Sequence, residues 1–280
     1  MGDSLRRQQE LIKRAREVLE ADARVLAAHL IGSHAAGVAD DYSDVDVHCV
    51  VADAEVDAFL ADADRLLRDI AGPLVLVDAI PGVSGVLAVS ADWQHIDLVV
   101  HTETEYDPAR YEAVAPMFDR TGSLLRETTA PDRVRQPIVF PIDAVNLFFY
   151  FLGKLVTVLG RDELVVAHSG IVASRGQLVK LMYAESGIRA VGGVKRLNPF
   201  LSHEQRAVLE AIPAAGADRN EIIEANRYMT ARFIERGKRL AEKTGAAWPQ
   251  GLQDATLAHL HRHLDVDFSP TADAGIRPAV

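Results

Sequence analysis

Asp44 and Asp46 stand at alternate positions in the segment LIGSHAAGVADDYSDVDVHCV. In an extended strand, positions i and i+2 point to the same face, so the two carboxylates project side by side while Val45 and Val47 point the other way. Their Cα atoms then lie about 6 to 7 Å apart, at a rise of roughly 3.3 Å per residue. Side chains at that spacing can converge on one hard divalent cation or share a pair of them. Without a cation they would repel, and one would tend to hold a proton. A third carboxylate, Asp97 in QHIDLVV, takes the strand face opposite Ile96 and Leu98, and Asp78 in LVLVDAI is its rival on a similar strand. Oxygen-only ligation suits magnesium or manganese, which keep several waters and also bind substrate phosphates. The chemistry indicated is phosphoryl or nucleotidyl transfer. Just upstream, GSHAAG sets Gly32, Ser33 and Gly37 ahead of the aspartate strand. Glycine lets backbone N–H groups approach an anion and a serine hydroxyl donates another hydrogen bond, so this turn can cradle a triphosphate.

These residues need a sheet to hold them. Residues 4–28 show helical periodicity and lead into HLI, a short apolar strand ended by Gly32 and Ser33. DVDVHCVV alternates as a strand, AEVDAFLADADRLLRDI returns to helical spacing, and PLVLVDAI, GVLAVSA and QHIDLVVH predict three more strands. This first part, residues 1–140, reads as a mixed α/β domain around one sheet. Residues 141–268 read as an all-helical domain, and 269–280 as a frayed tail. Ser202 and Gln205 form a capping-box pattern before RAVLEAI. Lys154 and Lys180 fall on helices of the second domain, where an ammonium could reach the triphosphate. The competing reading is a lysine stem lying along apolar surface with its head in water. His259, His261 and His263 resemble a metal tract, but on a helix only His259 and His263 share a face.

Composition narrows the field. The chain has 280 residues, 49% of them hydrophobic and 25% charged, enough for two domains with ordinary cores. Its net charge of −10 disfavours nucleic acid as a partner and favours cationic or neutral small molecules. Cys49 is the only cysteine, so no intrachain disulfide forms, which fits a reducing, cytoplasmic setting. The most apolar segment, AVNLFFYFLGKLVTVLG, carries Lys154 in its middle and reads as a core helix, with no membrane span expected.

Taken in order, IGS, SDVDV and IDL resemble the signature of the nucleotidyltransferase superfamily, whose fold is shared with DNA polymerase β. Within that superfamily the chain looks most like the antibiotic nucleotidyltransferases, the lincosamide and aminoglycoside adenylyltransferases, which join such a domain to a helical one. Over the second half, VLGRDELVVAHSGIVASRGQLVKLMYAES and KRLNPFL are similar to the helical domain of the lincosamide-type enzymes, a likeness that fits a lincosamide acceptor better than the cationic aminoglycoside an acidic cleft would suit. The resemblance implies an α+β fold, a nucleotidyltransferase-type mixed sheet with flanking helices followed by an all-helical C-terminal domain. It also implies an enzyme that moves a nucleoside monophosphate, usually from ATP or another nucleoside triphosphate, to a hydroxyl of a small acceptor with Mg2+ or Mn2+. Gly32, Ser33 and Ser43 would then bind nucleotide, with Lys154 and Lys180 assisting. Asp44 and Asp46 would ligate metal, and Asp97 would complete that site or accept the acceptor's proton. The alternatives are an antitoxin-like enzyme that modifies a protein partner and a non-catalytic nucleotide-binding module. Homodimerisation stays open.

Overall fold

A computed structural model describes residues 2–111, 113–122, 137–188 and 197–269. The chain divides into two units, Met1–Asp132 and Arg133–Val280. The expected tail beyond residue 269, and part of the KRLNPFL segment, lie outside the described residues.

The first unit is built on a six-stranded sheet in the order β3-β4-β5-β2-β1-β6. The strands are β1 Val25–Leu30, β2 Val45–Val51, β3 Leu74–Ala79, β4 Gly85–Ser90, β5 His95–Thr102 and β6 Ala115–Asp119. Neighbours run antiparallel except β2 and β5, which are parallel and pair in the middle of the sheet. One face is covered by α1 (Asp3–Ala21), α3 (Val56–Ala61) and α4 (Ala63–Ala71). There Leu11, Leu19, Phe59, Leu67, Val47 and Leu98 belong to one buried apolar cluster. Because side chains alternate along a strand, packing Val45, Val47 and Cys49 into that cluster turns Asp46 and His48 to the opposite face. In the same way, burying Ile96, Leu98 and Val100 turns Asp97 and His101 to that opposite face.

Three local expectations are corrected. The helical pattern over residues 4–28 stops at Ala21, and Val25–Leu30 is strand. Asp22 breaks the helix, because its carboxylate accepts from Arg24 N at 3.0 Å and pairs with the Arg24 guanidinium at 2.7 Å. Most of β1 is buried on both sheet faces, which removes the alternation that marks a half-exposed strand. GSHAAG is not a plain turn: Gly32–Ala35 forms a single helical turn, α2. The sixth strand, containing Pro116, was not anticipated; at the sheet edge a proline costs no ladder bond on the open side.

The second unit is helical throughout its described length, with α5 Ile142–Gly160, α6 Leu164–Glu185, α7 His203–Glu210, α8 Arg219–Thr244 and α9 Gln250–Leu264. Phe148 of α5 stacks on Phe233 of α8 with ring centroids 3.8 Å apart. The capping box forms as expected, with Gln205 N donating to Ser202 Oγ and Ser202 N to Gln205 Oε1. Buried Arg236 is neutralised by Glu185 at 2.5 Å and by Glu204. Among the described residues, α5 alone is long and apolar enough to cross a membrane. Its Val145, Phe148, Phe149, Leu152, Leu155 and Leu159 are buried in this unit's core.

Candidate active site

Parallel pairing of β2 with β5 places Asp46 directly opposite Asp97. Adjacent strands lie about 4.8 Å apart, so the two carboxylates share one row on the face turned away from α1, α3 and α4. Asp44 lies just before β2, one alternate position from Asp46. His95, at the start of β5, brings the third carboxylate into the group. Its Nε2 is 2.9 Å from Asp97 Oδ1 and its Nδ1 is 3.7 Å from Asp44 Oδ2. Asp97 Oδ1 is buried and accepts no well-angled hydrogen bond despite that close ring nitrogen.

The turn after β1 closes on the same place. Gly32 has φ +65°, and a Cβ there would stand 2.6 Å from Asp46 Oδ2. Both facts call for glycine: the left-handed backbone and the close approach of the carboxylate. Ile31 N donates to Asp46 O at 3.2 Å, locking the turn to the start of β2. Ser33 Oγ and His34 Nε2 are buried, with no hydrogen-bond partner. Burial lowers the pKa of His34, while the negative charge of Asp44 pulls it the other way. A buried polar atom without a partner costs free energy, which makes the Ser33 hydroxyl, next in the chain to Gly32, a candidate for contact with a ligand.

The structure therefore brings together Gly32, Ser33, Asp44, Asp46 and Asp97. Ser43 is engaged within its own loop, where its Oγ donates to Asp40 Oδ1 at 3.1 Å and accepts from Asp40 N at 3.0 Å. Lys154 and Lys180 belong to the second unit. Lys154 Nζ lies 5.4 Å from the Tyr150 ring centroid. Lys180 lines a hollow of about 380 Å³ together with Asp143, Leu147 and Tyr183. Asp78, the rival of Asp97, sits on exposed β3, two strands away from β5. His259 and His263 do share a face of α9, with ring centroids 4.8 Å apart.

Sequence reasoning assigned no role to His34 or His95, although the alternation that selects Asp97 also puts His95 on its face. It also missed a buried cluster further along the same face. His48 Nδ1 is 2.9 Å from His101 Nε2, which is 3.1 Å from Tyr111 Oη, and Tyr106 Oη is 3.4 Å from His29 Nε2. Burial lowers the pKa of His29 and His48 to about 3 and also lowers that of His101. The Tyr106 and Tyr111 hydroxyls are pushed up by burial. These side chains form a wall beside the carboxylates in which His29 and His48 are buried and His101, Tyr106 and Tyr111 half-buried.

As for a cation, the donors are of the right kind: hard carboxylate oxygens, one of them buried and poorly satisfied. Among the described residues, no three His, Cys, Asp or Glu side chains form a ready-made metal cage. Magnesium seldom uses such a cage, since it takes one or two carboxylates and completes its shell with water and substrate phosphates. The carboxylates fit that mode.

Among solved structures, an aminoglycoside 6-adenyltransferase from Bacillus subtilis is 17% identical, over 90% of this chain and 97% of that one, with a TM-score of 0.41. A STING-associated CdnE c-di-GMP synthase from Capnocytophaga granulosa is 11% identical, over 87% of this chain and 82% of that one, with a TM-score of 0.30. No curated protein matches the chain. The family model for streptomycin adenylyltransferase matches residues 5–263. That span opens in α1, takes in the carboxylate row and Gly32–Ser33, and closes in the last turn of α9; the chain belongs to the streptomycin adenylyltransferase family and is an adenylyltransferase.

Proposed function

We propose that this enzyme transfers AMP from ATP to a hydroxyl of a small aminoglycoside-like acceptor and releases pyrophosphate. The observation that carries the reading is the in-register pair of Asp46 and Asp97 on parallel neighbouring strands, with Asp44 beside them and the Gly32–Ser33 turn against Asp46. The net charge of −10 and the family match both favour a cationic acceptor over a neutral lincosamide.

In this reading Asp44 and Asp46 hold magnesium or manganese, with Asp97 at the edge of the same site. When bound, the metal neutralises charge on the triphosphate and polarises the transferring phosphorus. The Ser33 hydroxyl, which has no protein partner, donates to a phosphate oxygen. Bare backbone at Gly32 lets the triphosphate come close to Asp46. Asp97 accepts the proton of the acceptor hydroxyl as its oxygen bonds to the α-phosphorus. The bond from that phosphorus to the bridging oxygen breaks, and the electron pair leaves with pyrophosphate. A cytoplasmic site of action follows from the supply of ATP.

The test is incubation with ATP, magnesium and a panel of aminoglycosides and lincosamides, followed by mass spectrometry of the small molecules. The expected product is one aminoglycoside heavier by a single AMP residue. AMP attached to the protein or to a co-purified polypeptide, with every small molecule unmodified, would replace this reading with the protein-modifying one.

A further inference from the structure

We propose that the acceptor lies over the β3–β4 half of the sheet, with its saturated ring against the indole of Trp93 and one of its cationic groups on the carboxylate of Asp78. This inference rests on the adenylyl-transfer reading above and adds the subsite that reading leaves blank.

The order of the strands gives the direction. In-line displacement puts the attacking hydroxyl and the departing pyrophosphate on opposite sides of the α-phosphorus. The triphosphate turn, Gly32–Ser33, follows β1; the carboxylates stand on β2 and β5; beyond them come β4 and β3. With the phosphates on the β1 side, the acceptor approaches from the β4 side, where Asp97 meets its hydroxyl.

The pairing supplies a second observation. Asp46 pairs with Asp97, Asp97 with Leu87, and Leu87 with Asp78, so these four residues form one row on one face. Over β1 and β2 that face is covered by Tyr106 and Tyr111, whose rings pack on His29 and His48. Over β3 the face is open: Leu76 is 45% exposed and Asp78 is exposed. Asp78 lies two strand spacings from Asp97, about 10 Å away. That is a span for a multi-ring acceptor that offers a hydroxyl at one end and a cation at the other.

Trp93 is the third observation. It occupies the β4–β5 turn, two residues before His95, and is 81% exposed with φ at 60°. A bulky residue in the left-handed region costs of order 1–3 kcal/mol, and glycine or asparagine would avoid that cost. The turn does not need the indole for its own integrity. Trp93 N donates to Ser90 O at 3.0 Å, and Gln94 N donates to Ser90 Oγ at 3.0 Å. Ser90 Oγ donates to Asp92, which also pairs with Arg7 of α1 at 2.7 Å. What the tryptophan adds is a large, exposed flat face on a tied turn, whose negative quadrupole attracts cationic groups and packs on saturated rings.

The experiment uses streptomycin as the probe, with the full chain and the variants Trp93→Ala, Trp93→Phe and Asp78→Asn. Calorimetry measures streptomycin binding in the presence of magnesium and a non-hydrolysable ATP analogue, and steady-state assays give KM for streptomycin and for ATP. Trp93→Ala and Asp78→Asn are each expected to weaken streptomycin binding about tenfold, with Trp93→Phe in between and KM for ATP within twofold of the parent. Unchanged streptomycin binding in both variants, a parallel rise in KM for ATP, or no streptomycin binding by the parent overturns the subsite. Binding is read without turnover, so a parent that binds streptomycin through Trp93 and Asp78 but forms no adduct refutes the transfer reading alone.

Discussion

At the scale of single residues, the site depends on groups that the fold holds close at a cost. Ser33 keeps a buried hydroxyl without a partner. Removing such a group relieves a desolvation penalty of about 1–3 kcal/mol, so Ser33→Ala is expected to leave the unfolding midpoint unchanged or higher. The same variant is expected to raise KM for ATP severalfold. Thermal melts and initial rates check both halves, and a large loss of stability would mean that the hydroxyl serves the fold. Gly32→Ala should do the reverse and damage both. Its Cβ would stand 2.6 Å from Asp46 Oδ2, in a left-handed backbone that costs an L-residue roughly 1–2 kcal/mol. For Asp97→Asn, loss of the proton acceptor is expected to reduce kcat by about 10² to 10⁴ with little change in ATP binding. A kcat within a few-fold of the parent would remove Asp97 from proton transfer. The Asp-x-Asp spacing and IDL were legible because alternation alone decides which side chains share a face. His95 carries the same mark, two positions before Asp97, but His34 does not, since a histidine in a turn next to a carboxylate in space leaves no trace in spacing.

At the scale of elements, β2 to β5 are legible in the sequence, whereas the start of β1 and the whole of the edge strand β6 are not. β2 alternates Asp, Val, Asp, Val at its start because one face meets the apolar cluster and the other meets the site. β1 is buried on both sides and looks like a continuation of α1, so its start at Val25 was hidden until the Asp22–Arg24 turn was seen. The histidine–tyrosine wall was equally hidden, being assembled from β1, β2, β5 and the segment that follows β5. It carries a pH signature. His29 and His48 have pKa values lowered from 6.5 to about 3 by burial, so they stay neutral in the folded protein and gain protons more readily when unfolded. Their contribution is fully present above about pH 6.5 and is lost as the pH falls toward 3. Urea midpoints should therefore fall steadily from pH 7 to pH 5. A flat profile over that interval would show that the cluster opens to water. In the helical unit, a Cβ on Gly237 would run into the Trp248 ring, so Gly237→Ala should overpack the α8 face at a cost of about 1–3 kcal/mol.

At the scale of the whole molecule, an adenylyltransferase with a net charge of −10 gathers cations from a distance. If the acceptor is polycationic, raising salt from about 50 to 500 mM should lower kcat/KM for it several-fold through screening, while a neutral acceptor analogue shows no such loss. Equal salt response for the two would remove electrostatic gathering from the account. Acidic composition pointed the same way in the sequence, but which surface receives the acceptor depends on strand order, which no local pattern encodes. The central claim, that Asp44, Asp46 and Asp97 direct attack on the α-phosphorus of ATP, is tested most directly by following isotope from ATP labelled at either the α- or the γ-phosphate, with the parent and Asp46→Asn. The account predicts α-label on the acceptor, γ-label released as pyrophosphate, and neither event in the variant. Gamma label on the acceptor, or undiminished transfer by Asp46→Asn, would contradict it.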